Sequence, residues 1–314
     1  MASSEVDWHR EMLADLPRVR AMGAALKAAL TPGEVVLDIG TGSGLLAMLA
    51  CAYGASQVYA VERGHILEVA RQLARHNGLE GRIQFISGHS TAVELPERVD
   101  LVVAELIGDF GLDEGIWSVF ADARRRFLKP GGRLLPEGLA LHLAPTAEGA
   151  EFTNWVGPLW EETGLDFGPL RALASQVSRN LWAAPDQLLA GGGCLLRCDL
   201  YQDGPLIPEG MVQAQITRAG LLTGWVGWFE AFAGGQPFLD TRPPNTGSSW
   251  SNVFLPIGEP VAVEPGDQMT LSVRLDPRFW SWEFSMPRRG VVRQCSDFYS
   301  YPAGIFKPPP QPTR

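Results

Sequence analysis

Two glutamates, Glu105 and Glu114, stand nine positions apart in the segment VVAELIGDFGLDEGI, with Gly108 and Gly111 between them. Glycine lets a chain reverse sharply, so this segment can fold back and turn both carboxylates into one pocket. Two adjacent carboxylates repel, and one ordinarily takes up a proton to relieve the strain. A permanent cation between them removes that penalty. A guanidinium group meets the need, being planar, always charged, and equipped with five N–H donors that pair with carboxylates two at a time. The same acids could instead act as general bases toward another amine or small-molecule acceptor. A plainer reading is also open: Asp113 and Glu114 answer a helix dipole, and Glu105 pairs with a structural cation.

A second constellation is LDIGTGSGL at 37–45, which places Gly40, Gly42 and Gly44 between an apolar run and a helix-like segment. Glu62 closes the next apolar run, VYAVE, twenty-four positions after Asp38. An acid there can accept hydrogen bonds from both hydroxyls of a ribose. A dinucleotide loop requires G-x-G-x-x-G, and Leu45 stands where the third glycine belongs. The G-x-G-x-G spacing resembles class I methyltransferases, which implies S-adenosylmethionine as cofactor, held by Asp38, Gly40, Gly42 and Glu62. Beside a sulfonium methyl, the paired acids would leave one acceptor nitrogen nucleophilic and aim it. Alignment of this kind lowers a barrier by about 7–11 kcal/mol at best.

The elements that must position these residues follow from periodicity. Met12, Leu13, Leu16, Val19, Met22 and Leu26 predict one helix over 5–30, broken by Pro32-Gly33. Strands are expected at EVVLDIG, QVYAVE, RIQFIS, VDLVVAEL and GRLLPEG, alternating with helices at 45–52, 65–76 and 115–128. That alternation predicts a parallel α/β sheet covered on both faces. From 193 to 285 the runs CLLRCDLY, MVQAQI, VGWFEAFA and QMTLSVRL are punctuated by Gly, Pro and Asp, which predicts an antiparallel sheet or barrel. Trp225, Trp228, Trp280 and Trp282 are expected to pack its core, while Trp250 could do so or could stack on a guanidinium.

The 314 residues are 46% hydrophobic and 19% charged, which supports a real core and two domains. A net charge of −9 disfavours nucleic acid and favours cationic substrates. No apolar run approaches the ~20 residues that span a bilayer, so no membrane partner is expected. The four cysteines form no CxxC pair, and no metal site is expected. MASSEVDWHREML lacks the pattern of a secretory leader, so a cytoplasmic location is expected. KPPPQPTR reads as a Pro-rich tail over 307–314.

With these residues in view, the chain resembles the protein arginine N-methyltransferases, which carry two glutamates nine positions apart after the fourth strand. HREMLADLPRVR at 9–20 resembles that family's N-terminal helix motif. The match implies that Met12 flanks the acceptor and Arg18 binds the carboxylate of the cofactor. PGGRLLPEG at 130–138 resembles the entry to the family's barrel, and WEETGLDFGPLRALASQVSRNLWAAPDQLL at 160–189 its dimerisation arm. SSW at 248–250 resembles its Thr-His-Trp loop, which puts Ser249 and Trp250 at the acceptor. Ser249 stands at the position of the loop histidine. Thr91 stands where many members have a glutamate for the adenine, leaving His89 and Ser90 on that side.

The resemblance implies a helical lid over 1–30, a Rossmann-like domain over 31–138, and a β-barrel over 139–306 with an inserted arm. It further implies S-adenosylhomocysteine as the released product, an arginine-containing protein, peptide or small molecule as acceptor, and a homodimer.

Overall fold

The computed structural model describes residues 3–149, 161–166, 175–245 and 248–297. Two helices lead the chain, α1 (Ser3–Ala14) and α2 (Leu16–Ala29). The single helix expected over 5–30 is therefore broken at Asp15. Its carboxylate caps α2 by accepting the Arg18 N–H at 2.9 Å. Pro17, which has no N–H to offer a preceding turn, sits in the first turn of the new helix. The apolar period read across the break does not describe one face: Leu13 and Leu16 are exposed, Met22 and Leu26 buried.

Five parallel strands follow, β1 (Val35–Ile39), β2 (Gln57–Glu62), β3 (Ile83–Ser87), β4 (Val99–Ala104) and β5 (Leu128–Leu135). Their spatial order is β3-β2-β1-β4-β5, with α3 (Leu45–Ala52), α4 (Leu67–His76) and α5 (Ile116–Arg126) as crossovers. The order reverses between β1 and β4, and ligands of such sheets bind at the carboxyl ends of the strands beside that reversal. Both motifs sit there: the glycine loop leaves β1, and Glu105 follows β4 directly. α5 begins at Ile116 and not at 115, because Gly115 takes the capping position at φ +78°. Glu114 therefore lies ahead of the helix.

The remainder is antiparallel. β6 (Gly138–Thr146), β7 (Arg179–Leu181), β8 (Gly193–Asp199), β10 (Gly220–Ala233) and β12 (Asn252–Val263) form one sheet, ordered β7-β12-β10-β6-β8. β11 (Gln236–Asp240) hangs from β10. β9 (Glu209–Gln215), β13 (Gln268–Asp276), β14 (Phe279–Met286) and β15 (Val291–Ser296) form the other, ordered β15-β14-β13-β9. Trp225, Trp228 and Trp282 are buried in these sheets, as their spacing predicted, whereas Trp280 is only half-buried against the core.

Of the span 160–189 expected to form a helical arm, residues 160 and 167–174 lie outside the described residues, as do 150–159 before it and the tail from 298 onward. Residues 161–163 form a helical turn. The end of the span belongs to the sheet instead: Arg179–Leu181 is β7, which pairs with Phe254–Asn252 of β12.

Candidate active site

The glycine loop owes its shape to backbone that side chains avoid. Gly40 and Gly42 have φ of +71° and +53°. A Cβ on Gly42 would lie 2.7 Å from the His9 ring of α1, and one on Gly40 would lie 2.8 Å from Leu106. Beneath the loop, the buried Asp38 carboxylate accepts the Thr41 hydroxyl at 2.5 Å. Burial, with the Glu62 charge adding, pushes the Asp38 pKa up to about 7 although the hydroxyl and the Ala47 N–H oppose it. Glu62 accepts the N–H groups of Gly42 at 3.1 Å and Gly64 at 2.7 Å. His89 and the buried Ser90 line the far wall, where the His89 ring contacts the Thr91 hydroxyl at 2.8 Å. Two carboxylates, a glycine-walled loop and neighbouring polar side chains suit a nucleoside bearing hydroxyls, so this half of the cavity fits S-adenosylmethionine.

The cavity, of about 530 Å³, continues without a wall past Met12 to Glu105, Glu114, Ser249 and Trp250. The excursion between the two glutamates is fastened at several points. The buried Phe110 ring packs where a Cβ on Gly227 of β10 would come within 2.5 Å of it. The Phe110 N–H donates to the Asp113 carboxylate, which packs against the bare face of Gly108. Burial, then the charges of Glu114 and Asp109, raise the Asp113 pKa to about 6. Asp109 accepts the Ser251 N–H at 2.7 Å and the Asn180 amide at 2.5 Å. It is thus a tie between the loop and the antiparallel sheet.

One guanidinium already stands in this half. The Arg18 side chain is ion-paired with Glu105, donates to the Ser249 hydroxyl at 3.2 Å, and lies 4.4 Å above the Trp250 ring. Glu114 acts on it through its charge. Burial lowers the Arg18 pKa, and the acids around it work to restore it. Burial also raises the Glu114 pKa, offset by Arg18 and reinforced by Asp109.

Trp250 combines the two readings its sequence position left open. It is buried edge-on against Phe229, and its open face meets the cation. Ser249 bonds neither glutamate. Its hydroxyl donates to Asp15 at 2.9 Å, and its N–H does so at 2.6 Å. Asp15 also takes the Ser248 hydroxyl at 3.1 Å. Burial works against the Asp15 charge, but these N–H and hydroxyl donors outweigh it and lower the pKa. Sequence reasoning singled out neither Asp15 nor His9 for the site. Both lie in the segment HREMLADLPRVR, three and nine positions before Arg18.

Residues 22–145 match the profile of the ribosomal protein L11 methyltransferase family, PrmA. Over 279 residues the chain is 31% identical to an arginine N(omega)-methyltransferase of Streptomyces achromogenes subsp. streptozoticus, covering 85% of this chain and 75% of that one. It is 31% identical to human protein arginine N-methyltransferase 2, over 94% of this chain and 72% of that one. In fold it is similar to a chain of the Trypanosoma brucei PRMT1 enzyme-prozyme heterotetrameric complex with AdoHcy. There the TM-score is 0.83 at 22% identity, covering 92% of this chain and 96% of that one.

Proposed function

Because this chain belongs to the protein arginine N-methyltransferases, we propose that Glu105 and Glu114 hold the acceptor guanidinium and that an arginine side chain in a protein or peptide supplies it. The chain is an S-adenosylmethionine-dependent N-methyltransferase acting on a guanidino group. The observation that carries the assignment of residues is Arg18. Its own guanidinium finds in this slot a carboxylate, a hydroxyl and an aromatic face. A lone amine would use neither the flat ring nor the paired acids as fully, so a general-base reading for other amines is second.

When bound, the cofactor supplies a methyl group on a sulfonium, open to direct displacement. Asp38, Gly40, Gly42, Glu62, His89 and Ser90 would hold its nucleoside, and Arg18 its carboxylate. Glu105 and Glu114 fix the guanidinium plane and draw its positive charge toward themselves, which leaves the remaining nitrogen the better nucleophile. Met12, Ser249 and Trp250 confine that nitrogen. Free guanidinium has a pKa above about 12, so the nitrogen sheds its proton during or after transfer. Glu114, raised in pKa by burial, is suited to receive it.

Three further readings belong to the same proposal. Residues 1–30 serve as lid, 31–138 as cofactor domain, and 139–306 as an acceptor domain whose two antiparallel sheets close as a barrel. The neighbouring of β8 with β9 and of β12 with β15 supports closure. The span 160–189 joins two copies into a homodimer, a reading supported by Trp182 and Leu165, which are 66% and 62% exposed. The protein works in the reducing cytoplasm, in keeping with four free cysteines.

Transfer of tritium from labelled S-adenosylmethionine to an arginine-containing peptide, with its lysine-substituted twin alongside, tests the acceptor. Label should appear as Nω-methylarginine in the hydrolysate of the first peptide alone. Label on the lysine peptide, with none on arginine, would overturn the reading.

A further inference from the structure

We propose that Arg18 is an internal competitor of the acceptor, so that the cofactor's carboxylate must draw it away before the slot opens. The inference rests on the guanidinium reading of the slot. Three contacts define the competition: the ion pair to Glu105, the bond to Ser249 and the stack on Trp250. A flat cation needs the same three, and one ring face accommodates one guanidinium.

The opposite pull arises in the other half of the same cavity. That half carries Asp38 and Glu62, and Glu105, Asp109 and Glu114 line the adjoining half. A carboxylate entering among so many acids needs a cation. Of the arginines lining the cavity among the described residues, Arg63 is exposed, whereas the Arg18 side chain is only 12% accessible. Arg18 can answer without a shift of its helix. Asp15 pins the start of α2 to the Ser248–Ser249 loop, and the long side chain has rotamers enough to swing on that fixed base. Cofactor and acceptor then bind with positive coupling, and each raises the other's affinity by the same factor. The device pairs Glu105 with Arg18 before loading and offers it to the acceptor afterwards.

Calorimetry with ethylguanidinium, which carries the reacting group and little else, tests this on the full chain. With S-adenosylhomocysteine present, ethylguanidinium should bind at least tenfold more tightly than without it. 5′-Methylthioadenosine, which lacks the carboxylate, should leave the weak binding unchanged. Without cofactor, Arg18→Gln should bind the probe at least tenfold more tightly than the wild type. Arg20→Gln, which removes an exposed charge from the same helix, should not. Equal probe affinity in the presence and absence of S-adenosylhomocysteine overturns the inference, as does an equal gain from 5′-methylthioadenosine. Absence of probe binding in every state, with S-adenosylhomocysteine still bound, overturns the acceptor reading and this inference with it.

Discussion

The indole N–H of Trp250 donates to the carbonyl oxygen of Ile107 at 2.7 Å. The bond runs from the segment ahead of β12 to the loop after β4, so it fixes the aromatic wall of the slot relative to the acid wall. Trp250→Phe keeps a ring and removes the donor, leaving a buried carbonyl unpaired at a cost of roughly 1–3 kcal/mol. The acceptor KM should rise severalfold while S-adenosylhomocysteine affinity, measured by calorimetry, stays within a factor of about two. A loss confined to cofactor affinity would contradict this placement of the ring.

Glu105→Gln and Glu114→Gln each remove one charge from the slot and keep its shape. Deleting one partner of a buried charge pair costs roughly 3–5 kcal/mol, so kcat/KM should fall about a hundredfold or more. S-Adenosylhomocysteine binding should survive in both. Undiminished turnover in both variants would rule out the proposed acceptor slot.

Glu114 must be ionised to hold a cation, and burial followed by the Asp109 charge raises its pKa. Activity should therefore rise with pH along an acid limb. Asp109→Asn removes a like charge and lowers the Glu114 pKa, so the limb should move to lower pH in kcat/KM profiles. Movement to higher pH would show that Asp109 does not act through charge.

Asp38 has a folded pKa of about 7 against an ordinary value of 3.8. Its protonated form is the one the fold favours. The stability linked to that proton is fully present below the unfolded value and is lost as pH rises through about 7. Asp38→Asn resembles the protonated form. Between pH 5.5 and 8.5 the wild-type Tm should fall, and the variant's should fall less. Parallel curves would mean that Asp38 is already ionised across this range.

Gly42→Ala places a methyl where φ is +53° and where the His9 ring lies 2.7 Å away. S-Adenosylhomocysteine affinity should drop at least tenfold, with secondary structure by circular dichroism unchanged. Unaltered affinity would free the loop from its assigned role.

Local pattern made the parallel domain readable. β2 spans the residues its apolar run marked out, and α3 runs from Leu45 to Ala52 as its flanking glycines implied. The two glutamates could be paired because their loop starts at a strand end and contains glycine. What escaped notice depends on contacts between distant segments. Asp15 caps its own helix, which hid its hold on Ser249, more than two hundred residues away. Asp109 has the composition of a turn, and only the folded chain brings Ser251 and Asn180 to it. The Arg18 motif pointed toward a cofactor carboxylate. Nothing in residue spacing could reveal that its side chain rests against Glu105 and Trp250.

The slot draws Arg18, the 105–114 loop and the 248–250 loop into one cavity. A chain leaving the ribosome exposes its glycine loop early and its tryptophan wall late, and domains form in order of emergence. On the proposed reading of the slot, discrimination among acceptors is therefore the last property a nascent molecule acquires. A chain stalled before residue 250 would have its acids in hand and no aromatic wall to close over them.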